Sequence, residues 1–310
     1  MGAKTGIAWT DHTWSPWIGC TEISTAKTGG GGCDNCYARE LDKRHRWGGA
    51  THWGSGVPRY RTKSWHLPVA WDKKAAALRR KERIFPSLCD PFDNEVPDEW
   101  RGDLWRLIRA TPNLSWLLVT KRIGNVARMW PGGDYQNVRL LITVCNQEEA
   151  DRDIPKLLAL PCKNGISYEP ALDLVDWRNW LQIDRLAGKS EWECSGFKPE
   201  LNWIICGGES TQGAGKARPF DLAWARSTIA QCKVAGVPVF VKQLGSEPQE
   251  IAYPPHVTDA EQKRWATGGW TKIWEGDKSH WRRYWKYKTS GAATNPAEWP
   301  EDLRVQEFPA

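Results

Sequence analysis

Short apolar runs, most of them rich in β-branched side chains, recur along the chain. They are residues 13–19, 83–89, 114–120, 138–144, 164–169, 201–206 and 237–244. Amphipathic stretches separate several of them, most clearly at residues 99–110, 147–160 and 222–235. Strands that are apolar throughout, each returning through a helix, are typical of a buried parallel sheet. The pattern therefore predicts an α/β fold, an open or partial (β/α) barrel.

The alternation of strands and helices stops near Ser246. Beyond it, prolines, charges and tryptophans dominate up to the sequence EWP at 298–300. We therefore predict two parts, a partial barrel over residues 1–245 and a Trp-rich C-terminal extension over residues 246–310 that packs on it.

Polar residues follow the apolar runs at the points where the predicted strands end. Ligands of parallel α/β folds collect at those carboxyl ends, so the polar groups predict a site at one rim. A helix cap or an ordinary polar loop explains several of them individually. The groups are Cys20, Asp90–Asn94, Lys121–Arg122, Asn146–Gln147, Tyr168–Glu169, Gly207–Ser210 and Lys242–Gln243.

Composition narrows the class of protein. The 310 residues carry a net charge of +6 and contain nine cysteines and 22 tryptophans. No apolar run is long enough for a membrane span, and the first residues do not resemble a signal peptide, so we expect a cytoplasmic protein. A tight cysteine cluster in a reducing compartment indicates a metal or redox site. The scattered cysteines, namely Cys89, Cys145, Cys162, Cys194, Cys206 and Cys232, are interpreted as small core residues.

Cys20, Cys33 and Cys36 form the tight cluster. Cys20 ends the first predicted strand, and the pair Cys33–Cys36 leads into a predicted helix over residues 37–44. Three thiolates can bind three irons of a 4Fe-4S cubane. The fourth iron is then open to the amino and carboxylate groups of S-adenosyl-L-methionine.

Zinc is the alternative occupant of this motif. A closed zinc site needs four ligands, and His12 or His45 could supply the fourth. The residues alone leave iron–sulfur and zinc open, and the position at the barrel mouth favours the cluster.

Several motifs resemble the phage three-Cys-motif family, which consists of radical-SAM-like proteins associated with a three-Cys-motif partner protein. The resemblance covers about residues 6–245. Its motifs are WTDHTWSP at 9–16, GCT at 19–21, GCDNCYA at 32–38, ISYEP at 166–170, GGES at 207–210, ARP at 217–219 and VFVKQLG at 239–245.

The resemblance implies a partial barrel of the radical SAM type that holds a 4Fe-4S cluster and S-adenosyl-L-methionine. Gly207, Gly208 and Glu209 are the expected cofactor contacts, with Asn146 and Tyr37 as further candidates. Some members resemble isomerases of phage thymidine hypermodification, which move an amino acid on the thymine methyl from nitrogen to carbon linkage. The chain departs from the usual pattern in two ways. Twelve residues separate the first two cysteines, and the Gly-Gly-Glu sequence follows the sixth predicted strand rather than the second.

A basic and aromatic stretch at residues 39–83 directly follows the cluster motif. It holds thirteen Lys or Arg against four acids, interleaved with aromatic residues, and a second such patch covers residues 270–288. Cations can follow phosphates while aromatic rings stack on an extruded base. The alternative is a solvated face above packed tryptophans. The predicted contacts to a nucleic acid or modified nucleotide are Arg44, Arg46, Trp47 and Lys242.

The leading hypothesis is a radical SAM enzyme that modifies phage DNA in the cytoplasm of the infected bacterial host and requires an electron donor. One alternative is a non-catalytic nucleic-acid-binding protein stapled by zinc. Another is a radical SAM enzyme that acts on a protein or a small molecule.

Overall fold

Seven parallel strands form the main sheet of the computed structural model, which describes residues 5–23, 31–183, 200–213, 215–252, 270–275, 278–284, 293–309 and positions 258, 260, 263 and 267. The sheet is curled and open, and its edge strands are the first and last of the series, so the predicted partial barrel is confirmed. The strand order is β1 (His12–Thr13), β4 (Glu82–Phe85), β5 (Leu114–Thr120), β6 (Val138–Thr143), β7 (Lys163–Tyr168), β8 (Ile204–Gly207) and β10 (Val239–Gln243).

Helices connect most neighbouring strands of this sheet. They are α1 (Tyr37–His45), α2 (His66–Ala77), α3 (Asp98–Ala110), α4 (Ile123–Met129), α5 (Gln147–Leu158), α6 (Arg178–Leu181) and α7 (Leu222–Ala235). Local chemistry fixes their ends. Asn146 accepts a hydrogen bond from the backbone N–H of Glu149 at 2.9 Å and so caps α5. Helix α7 ends at Gly236, whose φ of +67° suits a residue without a side chain. Among the described residues, no helix has the length and apolar composition that crossing a bilayer requires.

The first predicted strand is interrupted in the structure. Only β1 joins the main sheet, and β2 (Trp17–Ile18) pairs with β3 (Tyr60–Arg61) in a separate two-stranded sheet. Pro16 lies between β1 and β2, and it has no backbone N–H for a continuous ladder. The carbonyl of Pro16 instead accepts a hydrogen bond from Thr62 at 3.0 Å. The chain therefore leaves the main sheet before it reaches Cys20.

The two faces of the main sheet bury different sets of side chains. Leu118, Leu140 and Ile204 belong to the large core on one face, whereas the adjacent Leu117 and Leu141 belong to a smaller cluster on the other. This alternation follows from the pleat of the strands. The smaller cluster also contains Trp9, Phe85, Trp203 and Phe240.

Many of the tryptophans are core residues. Trp14, Trp17, Trp116, Trp177, Trp203 and Trp299 are the largest fully buried side chains. A buried indole needs a partner for its N–H, and Trp299 Nε1 donates to the carbonyl of Ala293 at 2.9 Å. The unusual tryptophan content therefore reflects packing to a large extent.

The described segments beyond Ser246 include strands and turns that contact the barrel. A four-stranded sheet has the order β12 (Trp270–Glu275), β13 (Lys278–Tyr284), β11 (Pro248–Ala252) and β9 (Phe220–Asp221), so its last strand comes from the barrel part. The segment 305–307 runs along the outer edge of β10, where Val241 N donates to Val305 O at 2.8 Å and Glu307 N to Val239 O at 3.0 Å. Short 3₁₀ turns at Pro296–Glu298 and Glu301–Leu303 precede it. The division at residue 245 stays a prediction.

Replacement of Trp299 tests whether this returning segment is part of the core. Trp299→Ala removes a side chain that is 1% exposed, and we expect a loss of about 3–5 kcal/mol in the free energy of unfolding. Val234→Ala on α7 is the control because Val234 is 61% exposed, with an expected change within about 0.5 kcal/mol. Urea titration measures both, and equal effects would contradict the assignment.

Candidate cluster and cofactor site

A cavity of about 480 Å³ opens at the carboxyl ends of the parallel strands. This volume falls in the range of about 300–1,000 Å³ that is typical of small-molecule sites. Cys20, Cys33 and Cys36 all line it, so the structure brings the three predicted cluster residues to one place. Strand-end residues complete the wall, among them Phe85, Thr120, Thr143, Ser167 and Gln243.

The Cys33–Cys36 pair lies on a turn that leads into α1. Cys36 is the residue before the first turn of the helix. Burial raises the pKa of the Cys36 thiol, while the backbone N–H of Arg39 and the ammonium of Lys121 oppose that rise. A helix N-terminus that points its N–H groups at sulfur stabilises the thiolate form. The sequence-based helix over residues 37–44 is confirmed.

Cys20, which precedes the Cys33–Cys36 pair in the sequence, lines the same cavity. The preceding residue, Gly19, forms a parallel β-bridge with Cys89, and Arg122 Nη1 lies 3.2 Å from Cys20 Sγ. Burial raises the pKa of Cys20 to about 12, with a further contribution from Asp90, and Arg122 counteracts it. Metal binding deprotonates a coordinating thiol outright. The raised pKa therefore does not oppose a role as metal ligand.

Lys121 is a cation that lies close to the cysteines. Its Cε lies 3.0 Å from where a Cβ on Gly32 would be, directly before Cys33. Burial lowers the pKa of Lys121, but its electrostatic interactions with Cys33 and Cys145, together with those with Cys36 and Cys20, raise it overall. The cavity therefore holds a positive charge next to its thiols, which suits an anionic occupant.

Arg122 and Asp90 form a compensated pair beside Lys121. Arg122 Nη1 lies 2.9 Å from Asp90 Oδ2. Asp90 also accepts hydrogen bonds from Thr120 Oγ1 at 2.8 and 3.0 Å. Asp93, from the same polar sequence, forms a fully buried ion pair with Arg59 at 2.8 Å. These carboxylates are therefore occupied by protein cations.

Packing against the backbone requires a glycine at Gly208, whereas Gly207 packs against the end of a side chain. A Cβ on Gly208 would lie 2.6 Å from the carbonyl oxygen of Leu244, and one on Gly207 would lie 2.7 Å from Glu169 Oε1. Gly208 and Glu209 line the cavity. The side chain of Glu209 is bound by Arg218, with Nε to Oε2 at 3.0 Å, and by Asn35 Nδ2 at 2.8 Å. Burial raises the pKa of Glu209, but the hydrogen bonds from Arg218 lower it overall.

Lys242 lies at the cavity wall and pairs with Glu169, with 3.0 Å between Nζ and Oε1. Arg218 is not the partner of Glu169, because it is engaged by Glu209.

The two further cofactor candidates differ in position. Tyr37 lines the cavity, and its hydroxyl donates to the carbonyl of Ser87 at 2.6 Å. Burial raises the pKa of Tyr37. Asn146 is not among the cavity-lining residues, and its side chain is used as the α5 cap. A cofactor contact by Asn146 therefore has no geometric support.

The basic and aromatic stretch contributes both to the cavity and to the core. Arg44 and Trp53 line the cavity, whereas Arg46 and Trp47 do not. Arg46 is exposed, and Trp47 is half-buried beside α1. Trp71 is buried and stacks on His12, so it is not available to a base. In the second patch, most side chains of residues 270–288 lie outside the described residues.

The two histidines considered as zinc ligands lie elsewhere. His12 Nε2 is 2.8 Å from Glu82 Oε2, and His45 packs against Trp47. Neither lines the cavity. Within the described part of the chain, no three His, Cys, Asp or Glu side chains converge closely enough to hold a single metal ion. The thiolates of a cubane bind different irons, so they need not converge on one point.

The remaining cysteines divide into two groups. Cys206 and Cys232 are buried in the main core and Cys162 packs against it, as predicted. Cys89 also lines the cavity, and Cys145 Sγ lies 2.6 Å from where a Cβ on Gly32 would be. No motif or spacing in the sequence indicated that these two cysteines approach the cluster motif. Cys194 lies outside the described residues.

The fold and cavity together define an open parallel α/β barrel with a cavity at the carboxyl ends of its strands, and free cysteines, among them Cys20, Cys33 and Cys36, line that cavity. The chain belongs to the family described as "Protein of unknown function (DUF5131)", whose profile matches residues 4–291. No curated protein matches the chain.

Solved structures of spore photoproduct lyase resemble the chain weakly. A double mutant with bound AdoMet and dinucleoside spore photoproduct has 11% identity and a TM-score of 0.39, covering 89% of this chain and 68% of its own. A single mutant has 12% identity and a TM-score of 0.38, covering 88% and 68%. A complex with the dinucleoside has 10% identity and a TM-score of 0.34, covering 81% and 65%. Likeness at this level assigns no substrate to this chain.

Two glycine replacements test the packing of the Gly207–Gly208 turn. Gly208→Ala places a methyl group 2.6 Å from the Leu244 carbonyl, so we expect a loss of about 1–3 kcal/mol in unfolding free energy. Gly124→Ala is the matched control on α4, where nothing lies within 4 Å of an added Cβ. It should stabilise the protein by about 0.5–1 kcal/mol. Chemical denaturation distinguishes the two signs.

Proposed function

We propose that this protein is a radical SAM enzyme that holds a 4Fe-4S cluster on Cys20, Cys33 and Cys36. The observation that carries the proposal is that these three cysteines line one cavity at the carboxyl ends of a parallel sheet. Three protein thiolates leave one iron of a cubane without a protein ligand. That iron is available to the amino and carboxylate groups of S-adenosyl-L-methionine.

Cys20, Cys33 and Cys36 would hold the cluster, which would supply one-electron reductive cleavage of bound S-adenosyl-L-methionine when an electron donor reduces it. The chain's own residues bind and shield these groups. Lys121 places positive charge beside the thiolates, and the apolar inner face of the sheet, including Trp9 and Phe85, excludes water below the cavity. The rim hydroxyls of Thr120, Thr143 and Ser167 complete the wall.

The substrate in this proposal is a nucleotide of DNA. Arg44 lies at the cavity and Arg46 is exposed at the end of the same helix, so phosphates can be held beside the mouth. Trp53 lines the cavity and offers an indole for stacking on an extruded base. Trp53 thus takes the role that the sequence assigned to Trp47.

The finer proposal follows the sequence resemblance. The enzyme isomerises an amino-acid-substituted thymidine of phage DNA from nitrogen to carbon linkage, with transfer of hydrogen from the amino acid's α-carbon and its return. It acts in the cytoplasm of the infected host, with an electron donor and a three-Cys-motif partner protein. Nucleoside analysis of DNA from cells with and without the active gene tests this reaction.

Metal analysis tests the cluster. Protein reconstituted without oxygen should bind about four irons per chain, and Cys20→Ala, Cys33→Ala and Cys36→Ala should each lose most of that iron and its absorbance. Cys162→Ala is the control, because Cys162 packs against the core away from the cavity. With reductant, the wild type should release 5′-deoxyadenosine. One zinc per chain and no iron would instead support the zinc-stapled binding protein.

The salt dependence of DNA binding tests whether DNA binds at the mouth of the cavity. Arg44→Ala should weaken binding and reduce the slope of log K against log salt by about 0.9 for each phosphate that the variant no longer neutralises. Trp53→Ala should cost about 1–3 kcal/mol on a substrate with an extruded base. Lys74→Ala is the control because Lys74 is exposed on α2 and does not line the cavity. Equal losses for Arg44→Ala and Lys74→Ala would contradict binding at the mouth.

A further inference from the structure

The carboxylate of Glu209 accepts four hydrogen bonds from the protein. Its Oε2 accepts from Arg218 N at 2.8 Å, Arg218 Nε at 3.0 Å and Asn35 Nδ2 at 2.8 Å. Its Oε1 accepts from Arg218 Nη2 at 2.5 Å. An ionised carboxylate offers about four acceptor positions. Most of the acceptor capacity of Glu209 is therefore occupied by protein donors, and one acceptor position remains on Oε1.

The same side chains hold the turn that carries Cys33. Arg218 Nη1 and Nη2 each donate to the carbonyl of Gly31 at 3.2 Å, and Nη1 lies 3.6 Å from Asp34 Oδ2. Asn35 also donates to the carbonyl of Lys216 at 3.0 Å. These contacts involve Gly31, Asp34 and Asn35, which lie two positions before, one position after and two positions after Cys33.

Two glycines of the segment after Glu209 bring its backbone close to the cysteine turn and to α1. A Cβ on Gly215 would lie 2.6 Å from Asn35 Oδ1, and one on Gly213 would lie 2.7 Å from Glu40 Oε2 on α1. The segment that follows Glu209 is thus packed against both the cysteine turn and the helix after it.

We propose that Glu209, Arg218 and Asn35 form a clasp that holds the Cys33–Cys36 turn in the shape that receives the cluster. The inference rests on the proposed function for what the turn receives. It gives Glu209 a positioning role in place of the direct cofactor contact expected from the sequence. A network of charge-assisted hydrogen bonds between a buried carboxylate and a half-buried guanidinium favours one arrangement of the segments that carry them.

Cys20 provides an internal comparison. It lies beside Arg122, with 3.2 Å between Cys20 Sγ and Arg122 Nη1, and its Sγ also lies 3.3 Å from the carbonyl of Thr21. The charged groups that act on its thiol are Asp90, Arg122 and Asp93, which are not members of the clasp. Loss of the clasp should therefore increase the reactivity of the Cys33 and Cys36 thiols and leave the reactivity of Cys20 unchanged.

Thiol alkylation of the metal-free full-length protein tests the clasp independently of any cluster. In Glu209→Gln, the new amide N–H₂ replaces an acceptor opposite the donors of Arg218 and Asn35. We expect the iodoacetamide rates of Cys33 and Cys36 to rise by at least about tenfold, the factor for one missing charge-assisted hydrogen bond. The Cys20 rate should stay within about twofold, well below that factor. Mass spectrometry of the cysteine peptides gives each rate separately.

Two further variants keep the result interpretable. Asn35→Ala removes the hydrogen bonds to Glu209 and to the Lys216 carbonyl but leaves the Glu209–Arg218 ion pair, so Cys33 and Cys36 should again react faster than in the wild type, by a smaller factor. Glu169→Gln is the matched control, because it changes another cavity glutamate, which pairs with Lys242 at 3.0 Å. It should leave Cys33 and Cys36 at their wild-type rates.

Several outcomes overturn the clasp. They are unchanged rates in Glu209→Gln, a parallel rise at all three cysteines in both clasp variants, and an equal rise in Glu169→Gln.

Iron binding adds a second readout. Positioning predicts faster loss of iron from Glu209→Gln, whereas a direct contact predicts normal iron retention and a raised KM for S-adenosyl-L-methionine. Wild-type protein that binds no iron would contradict the proposed function and leave the alkylation result standing.

Discussion

Seven strands that run in one direction deliver all their carboxyl ends to a single rim, and the site depends on this constraint. Backbone and side-chain polar groups meet there at the border of an apolar core, where an unpaired charge is costly. Ion pairs such as Arg122–Asp90 and Lys242–Glu169 offset this cost. Lys121 differs from these cations, because thiols surround it rather than carboxylates.

The cysteine motif is attached to this rim from two sides. Arg122 reaches Cys20 from the end of β5, and Arg218 reaches the Cys33 turn from the segment after β8. The twelve residues between Cys20 and Cys33 therefore need not define the spacing of the thiols. Contacts distant in sequence hold the two halves of the motif in one cavity. This explains how so long a separation is compatible with a common site.

Much of the barrel could be predicted from the sequence because its strands are buried on both faces. The apolar runs at 114–120 and 138–144 match β5 and β6 closely, and the amphipathic stretch at 222–235 matches α7. The cysteine cavity also followed from strand ends. The partners of individual charges could not be predicted, since the Arg218–Glu209 pair and the stacking of Trp71 on His12 depend on the folded arrangement. Periodicity reports which face of an element is buried, not which polar group lies opposite.

The segment 305–307, which covers the edge of β10, has a consequence for biosynthesis. A ribosome makes β10 well before it makes this segment, so the nascent barrel has an uncovered strand during that interval. Uncovered strand edges pair readily with other chains. Slow translation or premature termination between the two segments would therefore favour aggregation, because β10 would stay uncovered for longer.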